Sequence, residues 1–406
     1  MRMHAMFTLF LAAAGTACGA GAPEPLAQTP DAAQARDAMP SPDAAPTEDA
    51  AAAEDAAEAD AARPMDAGAD EDAGLAADAG PVAGPPDLRA WFADYNADQP
   101  LDYLELPIGG AGPDPRYAAA APHTFHPELH YGPHTRNLLD VWSLDQAAPA
   151  PVVVYIHGGG FQAGSKESIH QNPQTIPQLL AAGFTVASIS YRFAYRDPDA
   201  ALLATNPDDE GSVHDENGTR LDFILRDCAR AIQFLRHRAA ELHLDPSRIG
   251  AYGGSAGAGC AAWVGTAPDL AVREHRDPVL RESSRLQAIG HTNGQPTYAW
   301  PRWPALLQMS PAFVFDNVES EAVRLTQTSL DALRRDPDGL RLSQVLDYYA
   351  AMGPGDPPFF TLNLNPDLDE TEITDPSEVI HHPRAHVALY ERCAAAGLDC
   401  SLRTRA

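Results

Sequence analysis

Two glycine-framed stretches have the residue types and spacing for acyl chemistry. The first is Gly253-Gly-Ser-Ala-Gly257. It follows the apolar run Arg248-Ile-Gly-Ala-Tyr252 and precedes a small-residue segment from Ala256. A serine between a strand and a helix sits on a sharp turn with its hydroxyl exposed, and the glycines leave room for that bend. The free N–H groups and positive end of the new helix favour an oxyanion beside it. The second stretch, His157-Gly-Gly-Gly-Phe161, ends the apolar run Pro151-Val-Val-Val-Tyr-Ile156. Three glycines expose backbone N–H groups that can converge on one oxygen. Losing such a donor typically costs about 2.7–4 kcal/mol of transition-state stabilisation. Together the two stretches call for attack by Ser255 on a carbonyl, with the oxyanion held by backbone N–H groups.

Such residues need a rigid frame. Asn137–Trp142, Pro151–Ile156 and Phe184–Ser190 read as strands, Ile176–Ala182 and Leu221–Leu244 as helices. Arg248–Tyr252 is a further short strand and Ala256–Val264 a helix. Strands alternating with helices at this spacing form βαβ units and a mostly parallel sheet covered on both faces. Further on, Pro357–Leu362 reads as a strand, Pro383–Ala396 as a helix closed by Gly397, and Leu398–Leu402 as the start of a last strand. Residues 291–350 are rich in aromatics, among them Trp300, Trp303, Phe313, Phe315, Tyr348 and Tyr349. They read as a cap insertion whose apolar walls would hold an acyl or alcohol group, with ordinary core packing as the alternative.

The ends of the chain differ from its middle. Phe7–Ala14 is a short apolar run behind Arg2, followed by Gly15-Thr-Ala-Cys18. This is the plan of an export signal over residues 1–18. Residues 19–84 are almost entirely Ala, Asp, Glu, Pro and Gly, and residues 1–84 hold 15 acidic against 3 basic side chains. Such a stretch cannot bury enough apolar area to offset its ordering entropy, so it reads as a disordered acidic linker. The folded domain is expected over 85–406. The chain has 406 residues and a formal charge of -28, with one lysine, Lys166. That balance argues against a nucleic-acid partner. No apolar run is long enough to span a bilayer. The five cysteines form no CxxC pair. Cys393 and Cys400 are spaced to pair, but buried free thiols are the preferred reading.

The segment from about Tyr131 to Ala267 resembles the α/β-hydrolase superfamily. Within it, the resemblance is to the HGGG-type esterase/lipase group, near hormone-sensitive lipase and the feruloyl and acetyl xylan esterases. The carrying residues are Asn137-Leu-Leu-Asp-Val141, His157-Gly-Gly-Gly-Phe161 with Gly164-Ser-Lys166, and Ser190-Tyr-Arg192. Asp227-Cys-Ala-Arg-Ala-Ile232, Asp245-Pro-Ser-Arg-Ile249 and Gly253-Gly-Ser-Ala-Gly257 complete the set. The N-terminus is similar to a bacterial lipoprotein signal, which would put a lipid on Cys18, although Gly15 stands where that motif usually has Leu. The resemblance implies an α/β-hydrolase fold and hydrolysis of a small-molecule carboxylic ester. It implies Ser255 as nucleophile and oxyanion donors from Gly159, Gly160 and Ala256. No cofactor or metal is called for, membrane attachment would run only through Cys18, and the oligomeric state stays open.

The family order places an acid after the next-to-last strand and a histidine after the last one. Asp367 fits the acid, with Asp369 as the near alternative. The chain reaches Ala406 before a histidine loop of that kind appears, so an incomplete C-terminal end, a base from elsewhere or a loss of hydrolysis are the open readings. The nearest bases are His381 and His382, read first as a pair entering the helix at Pro383. His386 lies close by, His157 is expected to shape the oxyanion loop, and His291 is more remote. A weakly active or non-catalytic binding protein of the same fold is therefore the alternative to a hydrolase.

Overall fold

A computed structural model describes residues 86–110, 112–194 and 218–405. The expectations for residues 1–84, including Cys18, lie outside the described residues. Eight strands form one sheet: β1 (His123–His130), β2 (Leu138–Leu144), β3 (Ala150–Ile156), β4 (Thr185–Ile189), β5 (Leu244–Gly254), β6 (Ile289–Thr292), β7 (Phe359–Asn363) and β8 (Cys400–Thr404). Their order is β1-β2-β4-β3-β5-β6-β7-β8. β2 runs antiparallel to both neighbours, and from β4 to β8 every pair is parallel. The sheet position of β3 follows from its composition. Val152, Val154 and Ile156 enter one apolar cluster while Val153 enters the other, so both faces are covered.

The helices that matter for the site are α1 (Thr175–Ala181), α2 (Leu221–His237), α3 (Ala256–Thr266), α4 (Pro311–Thr326), α5 (Pro376–Ile380) and α6 (Pro383–Ala395). α3 is buried along its whole length. Its run of alanine and glycine lets it lie close against the sheet. α2 ends at His237, earlier than the apolar pattern suggests. His243 turns into the left-handed region at φ 51°, and Leu244 N–H bonds back to the carbonyl of Ala239. Asp245 and Pro246 consequently lie inside β5. β1 had no clear sequence signal. It is an edge strand with mixed burial, and its register shifts between His126 and Leu129.

Asp227 on α2 anchors the loop after β4. Arg192 donates to both of its carboxylate oxygens at 2.7 Å, and the Tyr95 hydroxyl donates at 2.6 Å. Tyr191 next door stacks on His157 at 4.1 Å between ring centres, and its hydroxyl donates to the His157 carbonyl at 2.8 Å. Both residues thus support the glycine loop. Between β6 and β7 lies a helical excursion, the cap insertion. Its aromatics follow the core-packing alternative: Trp300, Trp303 and Tyr348 are fully buried core residues, and Phe313, Phe315 and Tyr349 pack on that core from its margin.

Cys393 on α6 and Cys400 on β8 form a disulfide, which corrects the free-thiol reading; Cys228 and Cys260 are free and buried. The bond closes a short loop, worth about 2.5 kcal/mol in chain entropy. Replacing both cysteines by Ser should lower Tm by roughly 3–5 °C in a thermal melt. An unchanged Tm would show that the bond adds nothing to the last helix and strand.

Candidate active site

β5 ends at Gly254 and α3 begins at Ala256, so one residue makes the whole turn. Ser255 adopts φ 51° and ψ −121° there, a strained conformation for a residue with a side chain. Gly257 is what the turn demands: a Cβ on it would lie 2.0 Å from the carbonyl oxygen of Ile156. β3 and α3 can approach this closely only without that atom. Gly159 has a similar reason, with φ 108° and a hypothetical Cβ 2.2 Å from the Ala163 carbonyl oxygen.

These two loops meet at a cavity of about 520 Å³. Gly159, Gly160, Ser255, Ala256 and His381 all line it. Ser255 Oγ lies 2.8 Å from His381 Nε2. His381 Nδ1 faces the carbonyl oxygen of Ser377 at 3.0 Å. A carbonyl can only accept, so the ring proton sits on Nδ1 and the Nε2 lone pair faces the serine. Burial pulls the His381 pKa below the ordinary histidine value, and the bond to Ser377 opposes that only in part. The imidazole is therefore neutral near pH 7, the form that accepts a proton.

The two adjacent histidines separate because His381 closes α5 while His382, in an extended conformation, opens α6. α5 is capped by Asp375, whose partner in the capping box is Glu378, and it closes on His381. Asn363 and Asn365, at the end of β7, clamp the His381 carbonyl through their Nδ2 atoms at 2.9 and 3.0 Å. His382 then points the other way. It is buried, caps α6 by accepting the Arg384 N–H, and meets the Leu368 carbonyl at 3.0 Å. It is not brought to Ser255.

Asp367 is not brought to His381 either. Its carboxylate accepts from Arg384 Nε at 2.8 Å and its side chain is 61% exposed. Its nearest histidine contact is His382, at 3.7 Å. Asp369 bonds the same guanidinium at 3.0 Å. Arg384 draws both carboxylates to the surface, and the backbone carbonyl of Ser377 occupies the place expected for an acid. His157 is buried, its pKa pushed down to about 3 by burial, with Nδ1 on the Gly158 carbonyl at 2.6 Å. His291 is held by Thr361 and the Gln295 carbonyl, and His386 by Thr361. Among the described residues no group of three metal-ligating side chains converges.

Residues not anticipated also reach the site. Ser320, Glu321 and Arg324 of α4 line the cavity, polar side chains where an apolar wall was expected. A signal existed for Glu321. It follows Val318 by three residues and precedes Leu325 by four, so a charge sits on the buried stripe of an amphipathic helix. Asn363 and Asn365 carried no signal beyond their place at a strand end.

The sheet order, the antiparallel β2, the helices on both faces and the excursion after β6 define an esterase/lipase-like α/β-hydrolase fold with a cap insertion. The BD-FAE family model matches residues 139–204 and 219–292, which contain both glycine-framed stretches. The chain is similar to Esterase LipQ of Mycobacterium tuberculosis, 30% identical over 177 residues, covering 42% of this chain and 33% of that protein. It is also similar to the Fumonisin B1 esterase of Sphingopyxis macrogoltabida, 27% identical over 158 residues, covering 38% of this chain and 25% of that protein. The chain thus matches about a third and a quarter of the length of these two relatives. Among solved structures, an acetyl ester-xyloside bifunctional hydrolase from Caldicellulosiruptor lactoaceticus aligns with a TM-score of 0.46 and 20% identity, covering 66% of this chain and 76% of that one. Esterase Est2 of Thermogutta terrifontis aligns with a TM-score of 0.44 and 21% identity, covering 68% and 79%.

Proposed function

We propose that this protein hydrolyses carboxylic esters with Ser255 as nucleophile and His381 as general base. The observation that carries the reading is the 2.8 Å contact between Ser255 Oγ and His381 Nε2 on a nucleophile elbow. Ser255 Oγ attacks the ester carbonyl while His381 Nε2 takes its proton. The negative oxygen rests on the backbone N–H groups of Gly159, Gly160 and Ala256. The alcohol leaves with the proton from His381, and a water activated by the same imidazole cleaves the acyl-serine. The Ser377 carbonyl orients the imidazole and holds its tautomer. It carries only a partial charge, so it steadies the imidazolium less than a carboxylate would.

A fluorophosphonate probe tests the nucleophile directly. Labelling of the folded protein that disappears in Ser255→Ala is the expected result. No labelling of a well-folded sample would favour the second reading, a non-catalytic binding protein, which the absence of Asp367 from His381 supports. The pH profile tests the base. A base works unprotonated, and burial lowers the His381 pKa. The acid limb of kcat/KM should therefore have its midpoint below the ordinary value of 6.5. A midpoint at or above 7 would point to a carboxylate partner or a different base.

The same reading includes export, with residues 1–18 as signal, Cys18 as lipid attachment point and residues 19–84 as spacer. The Cys393–Cys400 disulfide suits an oxidising compartment. Metabolic labelling with a radioactive fatty acid, lost in Cys18→Ser, would test the anchor.

A further inference from the structure

α4 brings Glu321 and Arg324 to the wall of the cavity that Ser255 also lines. Arg324 donates through Nη2 to the Gly160 carbonyl at 2.9 Å, which docks the guanidinium on the glycine loop. Its Nη1 is buried and has no hydrogen-bond partner among the described residues. Glu321, one turn earlier, lines the same cavity but does not supply that partner. Burial pulls the Arg324 pKa down and pushes the Glu321 carboxyl up, toward its neutral form. A guanidinium stays charged at ordinary pH, so the cavity wall carries a cation whose neighbouring carboxyl, Glu321, is not hydrogen-bonded to its Nη1. Leaving such a donor unmade is expensive, and a bound group that satisfies it recovers that cost.

Resting on the reading of Ser255 as nucleophile, we propose that the Arg324 guanidinium binds a free carboxylate carried by the substrate. The preferred esters are then half-esters of dicarboxylic acids, or other acids with a second ionised carboxyl group. The contact of Arg324 with Gly160 places that carboxylate within a short chain of the scissile carbonyl. Glu321 modulates the subsite. Protonated, it donates to the same carboxylate; ionised, it opposes it.

The test compares 4-nitrophenyl glutarate, with its free carboxylate, against the same compound capped as a methyl ester. The wild type should prefer the anionic ester in kcat/KM by about ten- to a hundredfold, the range of one hydrogen bond to a charged group. Arg324→Gln should bring the ratio near one, and Arg324→Lys should keep part of it. Glu321→Gln, which keeps a donor and removes the charge, should widen the ratio. Each variant is compared by ratio, and its Tm shows whether it folds. A wild-type ratio of one or less overturns the proposal. So does a preference for a glycerol ester that Glu321→Gln abolishes, which would make the pair a hydroxyl subsite. If neither glutarate ester is turned over, the hydrolase reading fails separately. The anion subsite then stands or falls on calorimetric binding of monomethyl glutarate to Ser255→Ala, expected to vanish in Ser255→Ala/Arg324→Gln. No binding to Ser255→Ala would overturn it.

Discussion

Replacing either Ser255 or His381 by Ala should lower kcat on a short-chain nitrophenyl ester by at least about 10³-fold. The double replacement should be scarcely worse than either alone, because each removes the same proton transfer. A residual rate should survive, since an oxyanion hole and binding alone can leave about 10³–10⁴-fold over water. His382→Ala is the informative control. His382 faces the Leu368 carbonyl and the first turn of α6. Its loss should leave turnover within about threefold while costing about 0.5–2 kcal/mol of stability through the lost cap. A large fall in turnover with His382→Ala and none with His381→Ala would reverse the assignment. Independent, multiplying effects of Ser255→Ala and His381→Ala would show that the two do not act as a unit.

Asp227→Ala should be the most damaging single change to stability. Asp227 is fully buried, and the guanidinium of Arg192, itself largely buried, donates two hydrogen bonds to it and the Arg192 backbone N–H a third. Removing the carboxylate strands the guanidinium in the interior, a loss of about 3–5 kcal/mol. Tyr95 loses its acceptor as well. A urea titration should show the midpoint fall. Removing both charges in Arg192→Met/Asp227→Ala should recover part of it, because most of the cost is the uncompensated charge. Strictly additive losses would sink that account. Arg192 follows Tyr191, which supports His157 through its hydroxyl and its ring. The Asp227→Ala protein should therefore also lose activity below its melting temperature.

Much of the frame was legible in the order of residues. The run Pro151–Ile156 specified a central strand because its apolar side chains serve both faces of a sheet. Gly253-Gly-Ser-Ala-Gly257 specified the tight turn because the steric requirement at Gly257 is local and absolute: one added methyl would overlap the Ile156 carbonyl. Glycine triplets and apolar runs state their own conformational consequences, so the strand–turn–helix around Ser255 and the loop at His157 could be located from composition and spacing.

The partners of Ser255 could not be. Which of His381 and His382 faces the serine depends on the change of backbone direction between α5 and α6 and on two asparagines at the end of β7. Neither leaves a periodic trace. Asp367 matched the expected position for an acid, but Arg384, seventeen residues on, captures it at the surface. An ion pair across a helix entry outcompetes a site that already has the Ser377 carbonyl. The cap illustrates the same limit. Its tryptophans fill the core, and the cavity wall falls to Glu321 and Arg324. Hydrophobicity says that a residue will be buried, whereas packing against distant elements decides which cavity it faces.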